Sequence, residues 1–162
     1  MTQDALEHVY TLYARQVYLY ARSLCGSHHV AEELTADTFY KAMLALDKES
    51  PHIKYWLLRV CRNLFVDHCR RSKREPVPLP EALSATECDP ADIHWQSEER
   101  RALYLAMLRL SAHDRELLTM YYFLDCTIAQ IAAHTGRTAG AVKTALCRAR
   151  TRLKNMMEEE RS

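Results

Sequence analysis

Thr127 to Lys154 read TIAQIAAHTGRTAGAVKTALCRARTRLK, and this stretch decides the fold. Thr127 followed three residues later by Gln130 is a capping-box start, and Ile128, Ile131 and Ala132 supply the apolar stripe of a short helix. Gly136 provides the left-handed residue that ends it, and Thr138 can cap the next helix. Side chains advance about 100° per residue, so Val142, Leu146, Ala149 and Leu153 share one face of that second helix. Lys143, Thr144, Cys147, Arg148, Thr151 and Lys154 share the opposite face. Six basic residues and no acid lie between Arg137 and Lys154. A basic, solvent-facing helix behind a glycine turn fits the reader of a helix-turn-helix, so the segment predicts DNA binding.

Working outward, the 162 residues suit one domain or two small ones, and 48% apolar residues with only 3 Gly and 5 Pro indicate a compact, mostly helical protein. No apolar run approaches the roughly 20 residues of a membrane span, and the N-terminus does not read as a signal peptide; a soluble, cytoplasmic protein without membrane insertion is expected. The net charge of +1 hides a polarised chain. From Arg59 to Arg74 six basic residues stand against one acid, Asp67, whereas Glu75 to Glu99 holds seven acids and no Lys or Arg. Two basic segments flanking an acidic connector suggest two places where a polyanion is held; solvated helix faces are the competing reading for either segment alone.

Leu6, Val9, Tyr13, Val17, Tyr20 and Leu24 recur at helical spacing up to Gly26. A second run from Val30 to Leu46 offers Leu34, Phe39, Met43 and Leu46 as core and breaks at Asp47 to Pro51. A third helix is expected from about Ile53 to Arg71. It has Leu57, Cys61, Leu64, Phe65 and His68 on one side and Arg59, Arg62, Asn63, Arg70 and Lys73 on the other. That basic face, carrying an Asn and opening on Tyr55 and Trp56, suits phosphate neutralisation with contacts to unstacked bases; the two aromatics read equally as core anchors. Residues 75 to about 91 contain four of the five prolines and read as an extended acidic linker. Periodicity resumes from Ile93 to Leu110, and Ser111 to Asp114 can cap a helix from Arg115 to about Leu124.

The six cysteines are scattered without a CxxC pair and read as reduced thiols, several packed as small hydrophobes. His68 beside Cys69, with Cys61 one turn away, lacks a second ligand pair, and His28–His29 sits in an expected turn, so no metal and no cofactor is expected. A Gly-rich phosphate loop and a nucleophile–base pair are also missing, which argues against an enzyme.

Two helical DNA-binding modules in this order resemble the extracytoplasmic-function group of bacterial sigma factors, within the sigma-70 family, over nearly the whole chain. VAEELTADTF (Val30 to Phe39) looks like the family's DAEDLVQETF, and YWLLRVCRNLFVDHCRR (Tyr55 to Arg71) like its TWLYRIARNLALDHLRR. LSAHDRELLTMYY opens like the LPxxxR segment of region four, and GAVKTALCRARTRLK closes like GTVKSRLxRARxxLR. The resemblance implies an all-α protein of two small domains. Residues 1–74 would form the region-two bundle, 75–91 a flexible acidic linker, and 92–162 the region-four helix-turn-helix. It implies a dissociable, non-enzymatic subunit that gives RNA polymerase promoter specificity.

Carried over residue by residue, the acidic face that holds the clamp helices of the polymerase beta-prime subunit falls on Glu32, Glu33 and Asp37, with the family Gln replaced by Ala36. The minus-ten element would meet Lys48, Ser50, His52, Tyr55, Trp56, Arg59, Arg62, Asn63, Arg70 and Lys73, with a flipped base in the loop Asp47 to His52. The minus-thirty-five element would be read in the major groove by Lys143, Thr144, Cys147 and Arg148, with Thr138, Ala139 and Gly140 at phosphate. Gln130 stands for the usual Glu, and Ala145 for the usual Arg. The flap of the polymerase beta subunit, promoter DNA and an anti-sigma factor wedged between the regions complete the implied partners. The residues alone leave two other readings open: a stand-alone helix-turn-helix regulator, and a Cys/His thiol or metal sensor.

Overall fold

The computed structural model describes residues 2–46, 52–74 and 95–161, which form two compact units, Met1–Cys88 and Asp89–Ser162. Seven helices and no strand occur among the described residues. The first unit is a bundle of α1 (Gln3–Cys25), α2 (His28–Ala45) and α3 (Ile53–Arg74), each packed on the other two. Thr2 caps α1, its hydroxyl accepting from the Ala5 amide at 3.2 Å. Gly26 ends that helix in the left-handed region (φ 69°), where its N–H reaches the Arg22 carbonyl. Ser27 then caps α2, so the turn between the two helices is a single Gly-Ser step.

The core of the bundle differs in one respect from the periodicity of α2. Met43, expected inside, is 41% exposed, and Leu46 is half-buried. The buried stripe instead runs through Ala31, Leu34, Thr35, Thr38, Phe39 and Ala42. Small residues let α2 lie close to its neighbours. The Thr35 and Thr38 hydroxyls are satisfied within the helix, each donating at 2.7 Å to a carbonyl one turn back. Arg22 is also buried, at 2% exposure; its guanidinium donates to the Gly26 carbonyl at 2.8 Å and so caps the end of α1 from inside. In α3, Leu57, Leu58 and Cys61 are fully buried, while Leu64, Phe65 and His68 are half-buried. Burial pushes the Cys61 thiol up to about 12, partly countered by a hydrogen bond with Thr38.

The second unit holds α4 (Glu98–Met107), α5 (Ala112–Tyr122), α6 (Ile128–Thr135) and α7 (Ala139–Arg161). α4 is shorter than the expected 93–110: Ser97 caps it, Ile93 lies outside the described residues, and after Met107 the chain tightens into a turn. That turn is pinned by Arg115, whose Nη1 donates to the carbonyls of Leu108 and Leu110. α5 begins three residues earlier than expected because Ser111 itself is the cap. Trp95, Tyr104 and Phe123 form an aromatic cluster with ring centroids 5.2 to 6.2 Å apart. Arg100 lies over the Phe123 ring at 4.7 Å and donates to the Tyr122 carbonyl. Beneath this cluster, Met107, Leu117, Leu118, Met120, Ile131 and Leu146 make the core. The acidic linker expected at 75–91 lies outside the described residues.

Candidate nucleic-acid interface

The turn that sets up the interface is built locally. Both halves of the capping box form: the Gln130 amide donates to Thr127 Oγ1 at 3.1 Å, and the Thr127 amide donates to Gln130 Oε1 at 2.8 Å. The side chain of Gln130, equal in length to the usual Glu but uncharged, therefore still closes the start of α6. Gly136 takes φ 71° and ends α6, and Thr138 opens α7 by accepting from the Ala141 amide at 3.1 Å.

α7 divides as its sequence predicts. Val142, Leu146, Ala149 and Leu153 are buried, at 0 to 8% exposure, against the rest of the second unit. Lys143, Thr144, Cys147, Arg148, Thr151 and Lys154 are all exposed, as are Thr138, Ala139 and Gly140 at the helix start. The Thr144 hydroxyl donates to the Gly140 carbonyl at 3.1 Å, leaving its methyl and an oxygen lone pair outward.

The cations of this segment are not equivalent. Arg137 Nη1 lies 2.8 Å from His113 Nε2 and its Nη2 3.4 Å from His113 Nδ1, and Arg150 donates to the Tyr122 hydroxyl at 3.2 Å. Arg152 places one guanidinium nitrogen 2.9 Å from both carboxylate oxygens of Asp114, whose side chain is only 4% exposed. Lys143, Arg148 and Lys154 carry no such tie among the described residues. Ala145, where the family pattern has Arg, helps line a cleft of about 410 Å³ between the start of α5 and α7, with Arg137, Arg148 and Arg152 on its rim.

In the first unit, His52, Arg59, Asn63, Arg70 and Lys73 are exposed along one side of α3, while Tyr55, Trp56 and Arg62 are half-buried. Val66, 37% exposed, sits among the cations of that side and was not anticipated. Lys48 and Ser50 lie outside the described residues, as does the loop 47–51. Arg70 has a weak, exposed ion pair with Asp67 at 3.8 Å, and Lys54 lies 5.7 Å over the Tyr55 ring.

On α2, Glu32, Glu33 and Asp37 are all exposed. His28 and His29, placed in the first turn of α2 rather than in a loop, sit one turn before two of them, with His28 Nε2 to Glu32 at 3.2 Å and His29 Nε2 to Glu33 at 3.5 Å. Beyond the carboxylates the surface turns apolar: Tyr40 and Leu44 are 58% and 66% exposed, and an open groove between α1 and α2 is lined by Leu6, Tyr10, Ala36 and Met43. Tyr40 and Leu44 already fell outside the core expected from the sequence, whereas Met43 was expected inside it. Among the described residues, His, Cys, Asp and Glu side chains nowhere gather in a group of three or more suited to a metal ion. No helix among them is long and apolar enough to cross a membrane.

Two helical units, each exposing one basic helix face, make a two-module helical protein with a cationic surface on each module. Residues 9–75 match the family Sigma-70 region 2, and residues 100–153 match Sigma-70, region 4. The RNA polymerase sigma factor BldN of Streptomyces coelicolor is 30% identical over 97% of this chain, which spans 62% of that relative's length. The sigma factor RpoE of Cereibacter sphaeroides is 30% identical over 78% of this chain and 70% of its own. The sigma factor RpoE of Bartonella quintana, solved in complex with the anti-sigma factor NepR, superposes with a TM-score of 0.74 at 27% identity, covering 94% of this chain and 96% of that one. The chain belongs to the extracytoplasmic-function group of the sigma-70 family. It is accordingly a promoter-directing transcription initiation factor and not an enzyme.

Proposed function

We propose that the two units divide promoter recognition between them. The first unit engages opened, single-stranded DNA of the minus-ten element through α3, with Arg59, Arg70 and Lys73 neutralising phosphate and Asn63 offering its amide to an unstacked base. Tyr55 and Trp56, half-buried at the start of that helix, stack from its side, and Lys48, Ser50, His52 and Arg62 complete the set carried over from the family. The second unit lays α7 in the major groove of the minus-thirty-five duplex. There Lys143, Thr144, Cys147 and Arg148 face base edges, while the helix start at Thr138, Ala139 and Gly140 meets phosphate. The observation that carries this reading is the pair of exposed basic helix faces on two separately folded units. A dimeric stand-alone regulator would need only one of them.

Core RNA polymerase is the partner that makes the two contacts act together. Glu32, Glu33 and Asp37 supply charge toward the clamp helices of the beta-prime subunit, and the adjoining apolar patch of Tyr40, Met43 and Leu44 supplies the desolvated centre an interface needs. The Ala36 departure fits this: a polar contact is lost where the surface becomes apolar. The second unit meets the flap of the beta subunit, residues 75–91 link the two, and an inhibitor of the anti-sigma kind competes for the same faces. The protein works in the cytoplasm, at the nucleoid while bound to polymerase.

Run-off transcription tests this directly: core RNA polymerase over fragmented genomic DNA, with and without the protein. New transcripts starting below a shared two-part motif are expected. Met43→Ala and Leu44→Ser should reduce them at limiting protein while leaving the circular-dichroism melt unchanged. A folded protein with active core enzyme that yields no new start, yet binds duplex DNA alone, would move the reading to a stand-alone regulator.

A further inference from the structure

The first turn of α5 holds α7 at two places. Arg137, just before α7, reaches His113, and Arg152, in its C-terminal half, reaches Asp114. The two acceptors are consecutive residues, whereas the two cations are separated by almost four turns of helix. Between these ties the cleft is lined by the small residues Gly140, Ala141, Thr144 and Ala145, with Arg148 beside them. The roll of α7 about its own axis is therefore set by the ties and by the buried stripe beneath.

Asp114 is the stronger determinant. Its carboxylate is 4% exposed and has Arg152 as its partner, whereas Arg152 remains 56% exposed. A buried carboxylate without a partner is costly, so the acid requires the arginine far more than the arginine requires the acid. Asp114 also lies in the first turn of α5, where the helix dipole favours negative charge. The contact is made by one guanidinium nitrogen spanning both oxygens, a geometry that a lysine ammonium can reproduce.

We propose that Asp114 is a positioning residue for DNA reading: it takes Arg152 out of the set of phosphate-binding cations and fixes the roll of α7 so that Lys143, Thr144, Cys147 and Arg148 point together into the groove. This rests on the proposal that the second unit reads duplex promoter DNA. The geometry predicts that Asp114→Asn loosens the reading helix while releasing a cation toward the DNA. Specificity then falls, and non-specific, salt-sensitive binding rises.

The test uses the full chain with core RNA polymerase on a promoter found by run-off transcription, and on the same promoter with its upstream element scrambled. Binding is measured across a salt series. Discrimination between the two templates should fall roughly tenfold for Asp114→Asn and for Arg152→Gln. Arg152→Lys should keep it, and the double variant Asp114→Asn/Arg152→Gln should be no worse than Arg152→Gln alone. The salt slope should steepen by up to about 0.9, one phosphate contact, in Asp114→Asn and stay unchanged in Arg152→Gln. If Asp114→Asn tightens binding with discrimination intact, or if Arg152→Gln flattens the slope by one contact, Arg152 is a phosphate ligand and the proposal is overturned. A circular-dichroism melt of each variant keeps loss of fold apart from loss of reading, and Asp114→Asn and Arg152→Lys carry the test where Arg152→Gln unfolds. Failure of the unaltered chain to discriminate the templates would instead count against the promoter-reading assignment itself.

Discussion

The same chemical change, Gly to Ala, should have opposite effects at two positions four residues apart. Gly136 adopts φ 71° at the end of α6, and a Cβ added there meets no heavy atom within 4 Å. The cost of Gly136→Ala is therefore backbone strain alone, about 1–2 kcal/mol for an L-residue in the left-handed region. The stiffer unfolded chain offsets about 0.4–1 kcal/mol of this, leaving a net loss near 1 kcal/mol. Gly140 sits in the first turn of α7 with helical backbone and equally open space around its Cβ position. Gly140→Ala should therefore gain about 0.5–1 kcal/mol from helix propensity and chain stiffness. For a unit the size of Asp89–Ser162 each kcal/mol moves the melting temperature by roughly 4–8 °C, well within the reach of circular dichroism on the full chain. Gly140 also lies where α7 starts toward phosphate, so its stabilised variant should bind promoter DNA less well, because Cβ keeps the backbone away. Melting temperatures that shift in the same direction for both variants would refute the backbone argument. Tighter DNA binding by Gly140→Ala would refute the close approach.

Two further outcomes depend on local structure. Thr127→Ala removes the hydroxyl that accepts from the Gln130 amide and should cost about 1 kcal/mol; an unchanged urea midpoint would show that the capping box is dispensable. In a brief alkylation of the native protein, exposed Cys147 should be labelled well before buried Cys61 and Cys126, and equal labelling by mass spectrometry would contradict the assigned burial. Burial holds the Cys61 thiol neutral up to about 12, whereas in the unfolded chain it ionises near the ordinary 9.0. Its contribution to stability is thus whole below pH 9.0 and lost as pH rises toward 12, so Cys61→Ala should flatten the alkaline decline in unfolding free energy.

The helix ends at Gly26 and between Thr127 and Thr138 were legible because the residues that make them act locally, whereas the starts of α4 and α5 were misplaced by several residues. Gly26, Thr127, Gly136 and Thr138 each do what their sequence neighbours require. The stripe of α7 was equally plain, since large apolar residues at helical spacing leave one packing solution. Reading failed where burial depends on small or polar residues. Ala31, Thr35, Thr38 and Ala42 bury α2 without looking apolar, so Met43 was wrongly assigned to the core. Arg22 enters the interior because a carbonyl waits for it four residues on, a pairing invisible to hydropathy. The same error hid an exposed apolar patch: Met43, read as core, lies outside with Tyr40 and Leu44.

Counting charge along a helix overstates what DNA will feel, and α7 allows this to be measured. Arg137, Lys143, Arg148, Arg150, Arg152 and Lys154 are the six cations of the segment. Arg137, Arg150 and Arg152 are tied to His113, Tyr122 and Asp114, and only the last tie neutralises charge. A guanidinium held by an imidazole or a phenol keeps its charge but loses freedom to follow a phosphate, so it adds to the field without making a contact. Each true phosphate contact contributes about 0.9 to the slope of log affinity against log salt. Replacing Lys154, the exposed cation outside the base-facing set, by Gln in the full chain with core polymerase should therefore flatten that slope by up to about 0.9, whereas Lys143→Gln and Arg148→Gln should act chiefly on discrimination between templates. Arg150→Gln should lower affinity slightly at low salt and leave the slope nearly unchanged. A slope that falls equally for Arg150 and Lys154 would mean the Tyr122 tie opens on DNA, and that these side-chain contacts belong to the free protein alone.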